Sequence, residues 1–125
     1  MEKQKPIRAR GIKHTGSHYL VSNLPDWSVT QCTIRGRLRL KGVRTTNPIA
    51  VGDFVDYDRQ EDGSGIITQI HPRTNYIIRK STNLSREAHI IAANIDLALI
   101  IVTLDLPQTP LAFIDRFLVT CEAYR

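Results

Sequence analysis

Four cationic side chains alternate with apolar residues between positions 34 and 41, in the segment Ile34-Arg-Gly-Arg-Leu-Arg-Leu-Lys41. Side chains along a β-strand point alternately to opposite faces. A strand here would place four cations on one face, which we call the basic stripe: Arg35, Arg37, Arg39 and Lys41. Like charges in a row repel each other and are neutralised by a polyanion, so the stripe predicts binding to nucleic-acid phosphates. The alternative is a solvated edge strand whose charges prevent aggregation.

Further cations and several aromatic side chains would complement the stripe. Arg8, Arg10 and Lys13 lie in a basic N-terminal arm, and Lys80 follows a later apolar segment. Unpaired bases stack on exposed aromatic rings, and three candidates are present: Tyr19, Trp27 and Tyr57. Each of these rings could equally anchor a core or a loop.

The charge is distributed unevenly along the chain. Residues 1–45 contain ten lysines and arginines but only two acidic residues, a net charge of +8. Residues 46–125 contain seven basic and ten acidic residues, a net charge of −3. This asymmetry indicates that the N-terminal part faces an acidic partner, and nucleic acid is the commonest partner of that kind.

No arrangement of residues predicts catalysis or a metal site in this chain. The sequence has no G-x-x-x-x-G-K-[ST] phosphate-binding loop, and its four histidines are scattered. The acidic residues between 53 and 62 miss the spacing of a calcium-binding loop. Cys32 and Cys121 lie far apart and outside any CxxC motif, so no zinc site is predicted. We therefore expect no catalytic, cofactor-binding or metal-binding residue in these 125 residues.

The chain carries no signal for export or membrane insertion. Its N-terminus has no apolar segment typical of a signal peptide. The longest apolar run lies within Ile95–Leu104 and includes Asp96, well short of the roughly 20 residues of a membrane span. We expect a cytoplasmic protein.

Short strands separated by turn residues organise the first 80 residues. We predict strands over residues 19–22, 32–40, 50–58, 66–71 and 76–79, preceded by a loose basic arm over residues 1–13. About five strands in so short a segment fit an OB-type barrel better than a sandwich. The basic stripe lies on the predicted second strand, and the second and third strands of OB barrels commonly bind nucleic acid.

The character of the sequence changes after Lys80. Residues 81–94 are predicted to be a linker. The apolar run over residues 95–104 is typical of a strand buried on both faces of an α/β sheet. Helical spacing over residues 110–124 follows, with Thr109 as the predicted N-cap and Pro110 at the first helical position. One strand and one helix cannot complete an α/β domain, so we expect an artificial chain end, partners elsewhere, or dimerisation and strand exchange.

Five segments, taken in order, resemble the bacterial family of small-ribosomal-subunit-dependent GTPases called RsgA or YjeQ. They are Cys32-Thr-Ile-Arg-Gly-Arg-Leu-Arg39, Pro48-Ile-Ala-Val-Gly-Asp-Phe-Val-Asp-Tyr57, His71-Pro-Arg-Thr-Asn-Tyr-Ile-Ile-Arg79, Ala92-Ala-Asn-Ile-Asp-Leu-Ala-Leu-Ile-Ile-Val102 and Phe113-Ile-Asp-Arg-Phe-Leu-Val119. The resemblance implies an OB domain over residues 1–80, a circularly permuted GTPase domain that starts at residue 95, and a zinc-binding domain. It implies GTP, Mg²⁺ and Zn²⁺ for a full-length, monomeric parent protein.

The family's guanine-specificity motif, N-K-x-D, has no counterpart in these 125 residues, and neither have its phosphate and zinc ligands. We therefore expect the chain alone to be inactive as a GTPase. The basic stripe predicts RNA binding, and the resemblance implies that this module binds small-subunit rRNA for a ribosome-maturation GTPase. Two alternatives stay open: a free-standing OB protein that binds single-stranded RNA, and a protein-interaction module whose basic face is merely solvated.

Overall fold

The computed structural model describes residues 5–34, 36, 48–80 and 88–124. The elements in this part of the chain are seven strands and one helix. They are β1 (Ile7–Thr15), β2 (His18–Asn23), β3 (Val29–Ile34), β4 (Phe54–Arg59), β5 (Gly65–Ile70), β6 (Tyr76–Lys80), β7 (Ala88–Ala93) and α1 (Leu111–Ala123).

The first five strands form a closed barrel in the order β1-β2-β3-β5-β4. Antiparallel pairs join β1 to β2, β2 to β3 and β4 to β5. The barrel closes where β3 runs parallel to β5, with Cys32 opposite Gly65, and where β4 returns antiparallel to β1. The predicted mainly-β fold class with a five-stranded barrel is therefore confirmed.

Alternating side chains of the five strands fill the barrel interior. In β3, Thr30, Cys32 and Ile34 point inward, while the intervening residues are exposed. The core unites apolar residues from every strand: Ala9, Tyr19, Val21, Cys32, Ile34, Ile49, Val55, Tyr57 and Ile67. Fully burying one such large side chain stabilises a fold by about 1.5–3 kcal/mol relative to exposure. The packed core is therefore what holds the barrel closed.

Two strands of the barrel prediction, at the beginning and at the end of the barrel segment, differ from the strands that the structure shows. Residues 7–15, predicted to be a loose arm, form β1 and pair with both β2 and β4. Because β1 closes the barrel, the predicted fifth strand is not needed there. That segment, Tyr76–Lys80, instead pairs with Ala88–Ala93 in a separate two-stranded sheet. Residues 88–93, predicted to belong to a linker, are thus a strand.

The predicted strand over residues 32–40 begins within β3, and its residues 35 and 37–40 lie outside the described residues. Strand β3 ends at Ile34. Gly36 is exposed, and its backbone is helical rather than extended. Gly36 itself is therefore not part of the predicted strand.

The region after residue 94 is extended and then helical. Residues 97–103 pair with no strand in the described part of the chain, so the strand predicted over residues 95–104 is not formed there. Their aliphatic side chains are largely exposed, 83% at Leu97 and 82% at Ile101.

The helix begins at Leu111 with Pro110 as N-cap, one residue later than predicted. Thr109 does not cap it, because its hydroxyl accepts a hydrogen bond from Thr103 N–H at 2.9 Å. No helix in the described residues is long and apolar enough to cross a bilayer.

The thiol of Cys32 lies in the barrel core, and burial raises its pKa to about 11. At pH 8 only about one molecule in a thousand then carries the reactive thiolate. We expect a disulfide-exchange reagent to modify Cys121, which is only half-buried, while Cys32 reacts after denaturation. The Cys121→Ser variant should show no modification in the native state. Equal native rates for both thiols would contradict this placement of Cys32.

Candidate nucleic-acid interface

The four residues of the basic stripe, Arg35, Arg37, Arg39 and Lys41, lie outside the described residues. The chain enters this stretch from the end of β3, where Thr33 is exposed and Ile34 points into the core. The stripe therefore follows directly from a barrel strand, and phosphate binding by its cations stays a prediction. Lys80 lies at the end of β6, in the second sheet rather than in the barrel.

Strand β1 presents three of the predicted cations on the outside of the barrel. The guanidinium carbons of Arg8 and Arg10 each lie 5.1 Å from the centroid of the Phe54 ring. Both cations thus lie close to the Phe54 ring, an attractive arrangement. Lys13 follows a bulge in the strand and is exposed opposite Leu20.

These three cations are not equally available to a ligand. Arg10 is half-buried, and its Nη2 donates a hydrogen bond of 2.8 Å to the Asn94 carbonyl. Arg8 is exposed, although it stands opposite Asp56 in the β1–β4 register. Arg8 and Lys13 are therefore better placed than Arg10 to contact phosphate. The sequence signal for this strand was its alternation of Ile7, Ala9 and Gly11 with the cations.

Two of the three predicted stacking residues are buried. Tyr57 is fully buried and Tyr19 is 3% exposed, so neither offers a ring face to a base, and both predictions are wrong. The Tyr57 hydroxyl donates a hydrogen bond to Asn23 Oδ1 and lies 3.2 Å from Thr30 Oγ1. Tyr57 therefore belongs to a polar network inside the barrel, as buried tyrosines usually do.

Trp27 is 59% exposed and remains a candidate for stacking. It has a φ of 62°, an uncommon value for a bulky residue. Its N–H donates to the Asn23 carbonyl at 2.6 Å, and Asn23 Nδ2 donates to the Ser28 carbonyl at 3.0 Å. These bonds fix the loop that carries the indole.

The surroundings of Trp27 differ from those expected for the basic stripe. Hydrogen bonds from the backbone and hydroxyl of Ser28 hold the pKa of Asp26 below its ordinary value. The residue before Trp27 in the chain therefore carries a stable negative charge, which does not favour phosphate. Trp27 precedes β3 while Arg35 follows it, and six strand residues span about 20 Å. Trp27 and Ile34, the last residue of β3, thus lie toward opposite ends of this strand.

A buried ion pair that the sequence analysis missed joins the barrel to the second sheet. Asp53 has no exposed surface, and both of its oxygens accept hydrogen bonds from Arg73, each at 2.7 Å. Ala50 N–H donates to the same carboxylate at 2.7 Å. The bonds to Asp53 raise the pKa of Arg73 above its ordinary value, so the guanidinium stays charged. Arg73 also donates to the Pro48 carbonyl at 3.2 Å.

Asn94 forms a second link at the same place. Its side-chain oxygen accepts hydrogen bonds from the N–H and the hydroxyl of Thr74, at 2.9 and 3.2 Å. Its side-chain nitrogen donates to the Gly52 carbonyl at 3.0 Å, and its own carbonyl accepts from Arg10. We call residues 48–53, 71–75 and 92–95 the junction. No sequence motif marks it, because its partners are 20 to 84 residues apart.

The described residues do not fit the metal ions that the resemblance implies. No group of three metal-ligating side chains occurs in this part of the chain. Cys32 lies in the barrel core and Cys121 on the helix. We therefore assign no role to Zn²⁺ or Mg²⁺ at any of the described residues.

Comparison with known proteins accounts for nearly the whole chain. A family model described as the RsgA N-terminal domain matches residues 9–67, and one described as RsgA GTPase matches residues 70–125. The chain belongs to the RsgA family. A curated RsgA relative from Phocaeicola vulgatus, named a small ribosomal subunit biogenesis GTPase, is 53% identical over 114 residues. That match covers 91% of this chain and 36% of the relative.

Solved structures of RsgA-type proteins share the fold. YjeQ from Thermotoga maritima matches with a TM-score of 0.66 at 28% identity, covering 95% of this chain and 38% of that one. YloQ, described as a circularly permuted GTPase, matches with a TM-score of 0.65 at 30% identity, over 96% of this chain and 38% of its own. The chain thus spans little more than a third of the RsgA proteins that it matches. The boundary between the two RsgA family models, at residues 67–70, separates Asp53 from Arg73.

Proposed function

We propose that this chain docks an RsgA-type GTPase onto the small ribosomal subunit by binding rRNA through its basic N-terminal barrel. The observation that supports the proposal best is the net charge of +8 in the first 45 residues, part of which is carried by a closed barrel. The relatives are named for biogenesis of the small subunit, whose largest acidic component is rRNA.

The docking would rest on contacts with phosphate. The basic stripe would supply four cations, and Arg8 and Lys13 on the outside of β1 would extend the positive surface. Arg10 contributes less, because the Asn94 carbonyl already occupies part of its guanidinium. Phosphate contacts supply affinity and orientation but carry little sequence information. We therefore expect the site on the subunit to be selected by shape rather than by base sequence.

GTP hydrolysis belongs to the longer protein in this proposal. The ligands for guanine, phosphate and Mg²⁺ would come from residues other than these 125, and so would a zinc site. This chain would hold the GTPase region against the subunit in the cytoplasm. We expect it to show no GTP turnover by itself.

The salt dependence of binding tests the proposal. Purified small-subunit rRNA is titrated with the chain between 50 and 200 mM KCl, the range over which phosphate-driven binding weakens steeply. Each contact with single-stranded phosphate contributes about −0.7 to the slope of log affinity against log salt. Four contacts from the stripe therefore predict a slope of about −3. Binding that does not change with salt, or no binding at the lowest salt, would contradict the proposal and favour a protein-interaction module.

A further inference from the structure

We propose that the barrel and the β6–β7 sheet are one cooperative folding unit, locked together by the junction, rather than two domains joined by a linker. This inference concerns the two RsgA regions that the family models divide at residues 67–70. The two parts depend on each other, because each contains groups that are satisfied by the other.

The barrel depends on the second region through Asp53. This carboxylate, on the residue that directly precedes β4, has no exposed surface. Apart from the Ala50 N–H, its hydrogen-bond donors are the two guanidinium nitrogens of Arg73. An unpaired charge is costly to bury. The barrel therefore requires a residue that lies beyond its last strand.

The second sheet depends equally on the barrel. Two strands alone are at best marginally stable in water, and β6 and β7 form a sheet of only two strands in the described part of the chain. The end of β7 is attached to the barrel by a parallel bridge between Val51 and Ala92. The Ala93 N–H also donates to the Val51 carbonyl at 2.8 Å.

Backbone hydrogen bonds run without interruption from the barrel wall to the second sheet. Gly11 of β1 donates to the Asp53 carbonyl at 2.9 Å and accepts from the Gly52 N–H at 2.8 Å. Beyond the Val51–Ala93 bond, the Asn94 N–H donates to the Asn75 carbonyl at 2.9 Å. These backbone bonds allow little relative movement, because an unmade bond would leave buried polar groups unpaired.

The coupling has a consequence that rests on the proposed function. If rRNA holds the barrel, it also fixes the orientation of β6 and β7, with which the RsgA GTPase match begins. The junction would therefore pass the position of the docked barrel directly to the second region.

Amide hydrogen exchange of the whole chain without RNA tests the coupling. In a single cooperative unit, the most protected amides open together. We therefore expect the protection factors of the slowest β6 and β7 amides, such as Ile78 and Ile90, to lie within about threefold of those of barrel amides such as Val55. Sheet amides that exchange a hundredfold faster than barrel amides in the unmodified chain would overturn the inference.

Two variants and a control sharpen the test. In the Asn94→Gly variant, glycine tolerates the positive φ of 54° at this position, but the side-chain hydrogen bonds to Thr74 and Gly52 are lost. We expect the amides of Ile78 and Ile90 to exchange at least tenfold faster in this variant. The Arg73→Gln variant should speed the hydrogen exchange of barrel amides and of sheet amides together. The control is Arg79→Gln, because Arg79 is an exposed residue of β6. It should change the exchange rates of barrel and sheet amides by no more than about twofold. Unchanged sheet exchange in both junction variants would overturn the inference. Because no RNA is present, failure of rRNA binding would leave this result intact.

Discussion

Replacing Gly52 with alanine is expected to lower the free energy of unfolding by about 3 kcal/mol or more, whereas the same change at Gly63 lowers it by about 1–2 kcal/mol. Both glycines have a positive φ, 95° at Gly52 and 87° at Gly63, so both variants carry the same kind of backbone strain. The two positions differ in the room that they leave for a Cβ atom. A Cβ at Gly52 would lie 2.0 Å from the carbonyl oxygen of Ala93, whereas nothing lies within 4 Å at Gly63.

The difference between the two variants therefore measures how tightly the barrel approaches β7. The Ala93 oxygen belongs to the backbone of the second sheet and cannot move away without breaking the junction. Chemical denaturation, followed by the fluorescence of the single tryptophan, gives both free energies. Equal losses at Gly52 and Gly63 would show that the two parts of the molecule are not in close contact at this point.

Local sequence patterns predicted four of the five barrel strands, because β3, β4 and β5 largely alternate inward and outward side chains and turn residues separate the segments. The same alternation, read strictly, also predicts that Val55 and Tyr57 point inward together. The assignment of Tyr57 to base stacking overlooked this parity. The arm was missed because Arg8, Arg10 and Lys13 dominate a segment whose small inward residues, Ala9 and Gly11, have little apolar character.

The junction could not be predicted from the sequence. Asp53 and Arg73 are ordinary polar residues near turns, and only the three-dimensional fold brings them within 2.7 Å. Asn94 adopts a positive φ at the end of an apolar strand, a conformation that periodicity does not report. The apolar run over residues 95–104 predicted a paired strand, but pairing needs a neighbour, and the described residues supply none.

Reversing three charges of the basic stripe, Arg35→Glu, Arg37→Glu and Arg39→Glu, is expected to weaken binding to small-subunit rRNA by roughly 100-fold or more. Each reversal removes a phosphate contact and adds a repulsion, so three together change the binding free energy by about 3 kcal/mol or more. The slope of log affinity against log salt concentration should become less negative by about 2, since each lost contact removes roughly 0.7. Fluorescence anisotropy with labelled rRNA measures both quantities.

A matched variant separates the position of these charges from their number. Arg59, Arg79 and Arg116 are exposed arginines outside the stripe, and their reversal to glutamate changes the net charge by the same amount. We expect this control to weaken rRNA binding by less than about tenfold, through the long-range field alone. Thermal unfolding of both triple variants shows whether the fold is retained.

Co-sedimentation with purified small ribosomal subunits tests the central claim most directly. At 100 mM KCl the unmodified chain and the variant reversed at Arg59, Arg79 and Arg116 should pellet with the subunits. The stripe variant should stay in the supernatant while retaining its folded barrel. If the folded stripe variant pellets as completely as the unmodified chain, the basic stripe does not dock this protein on the small subunit.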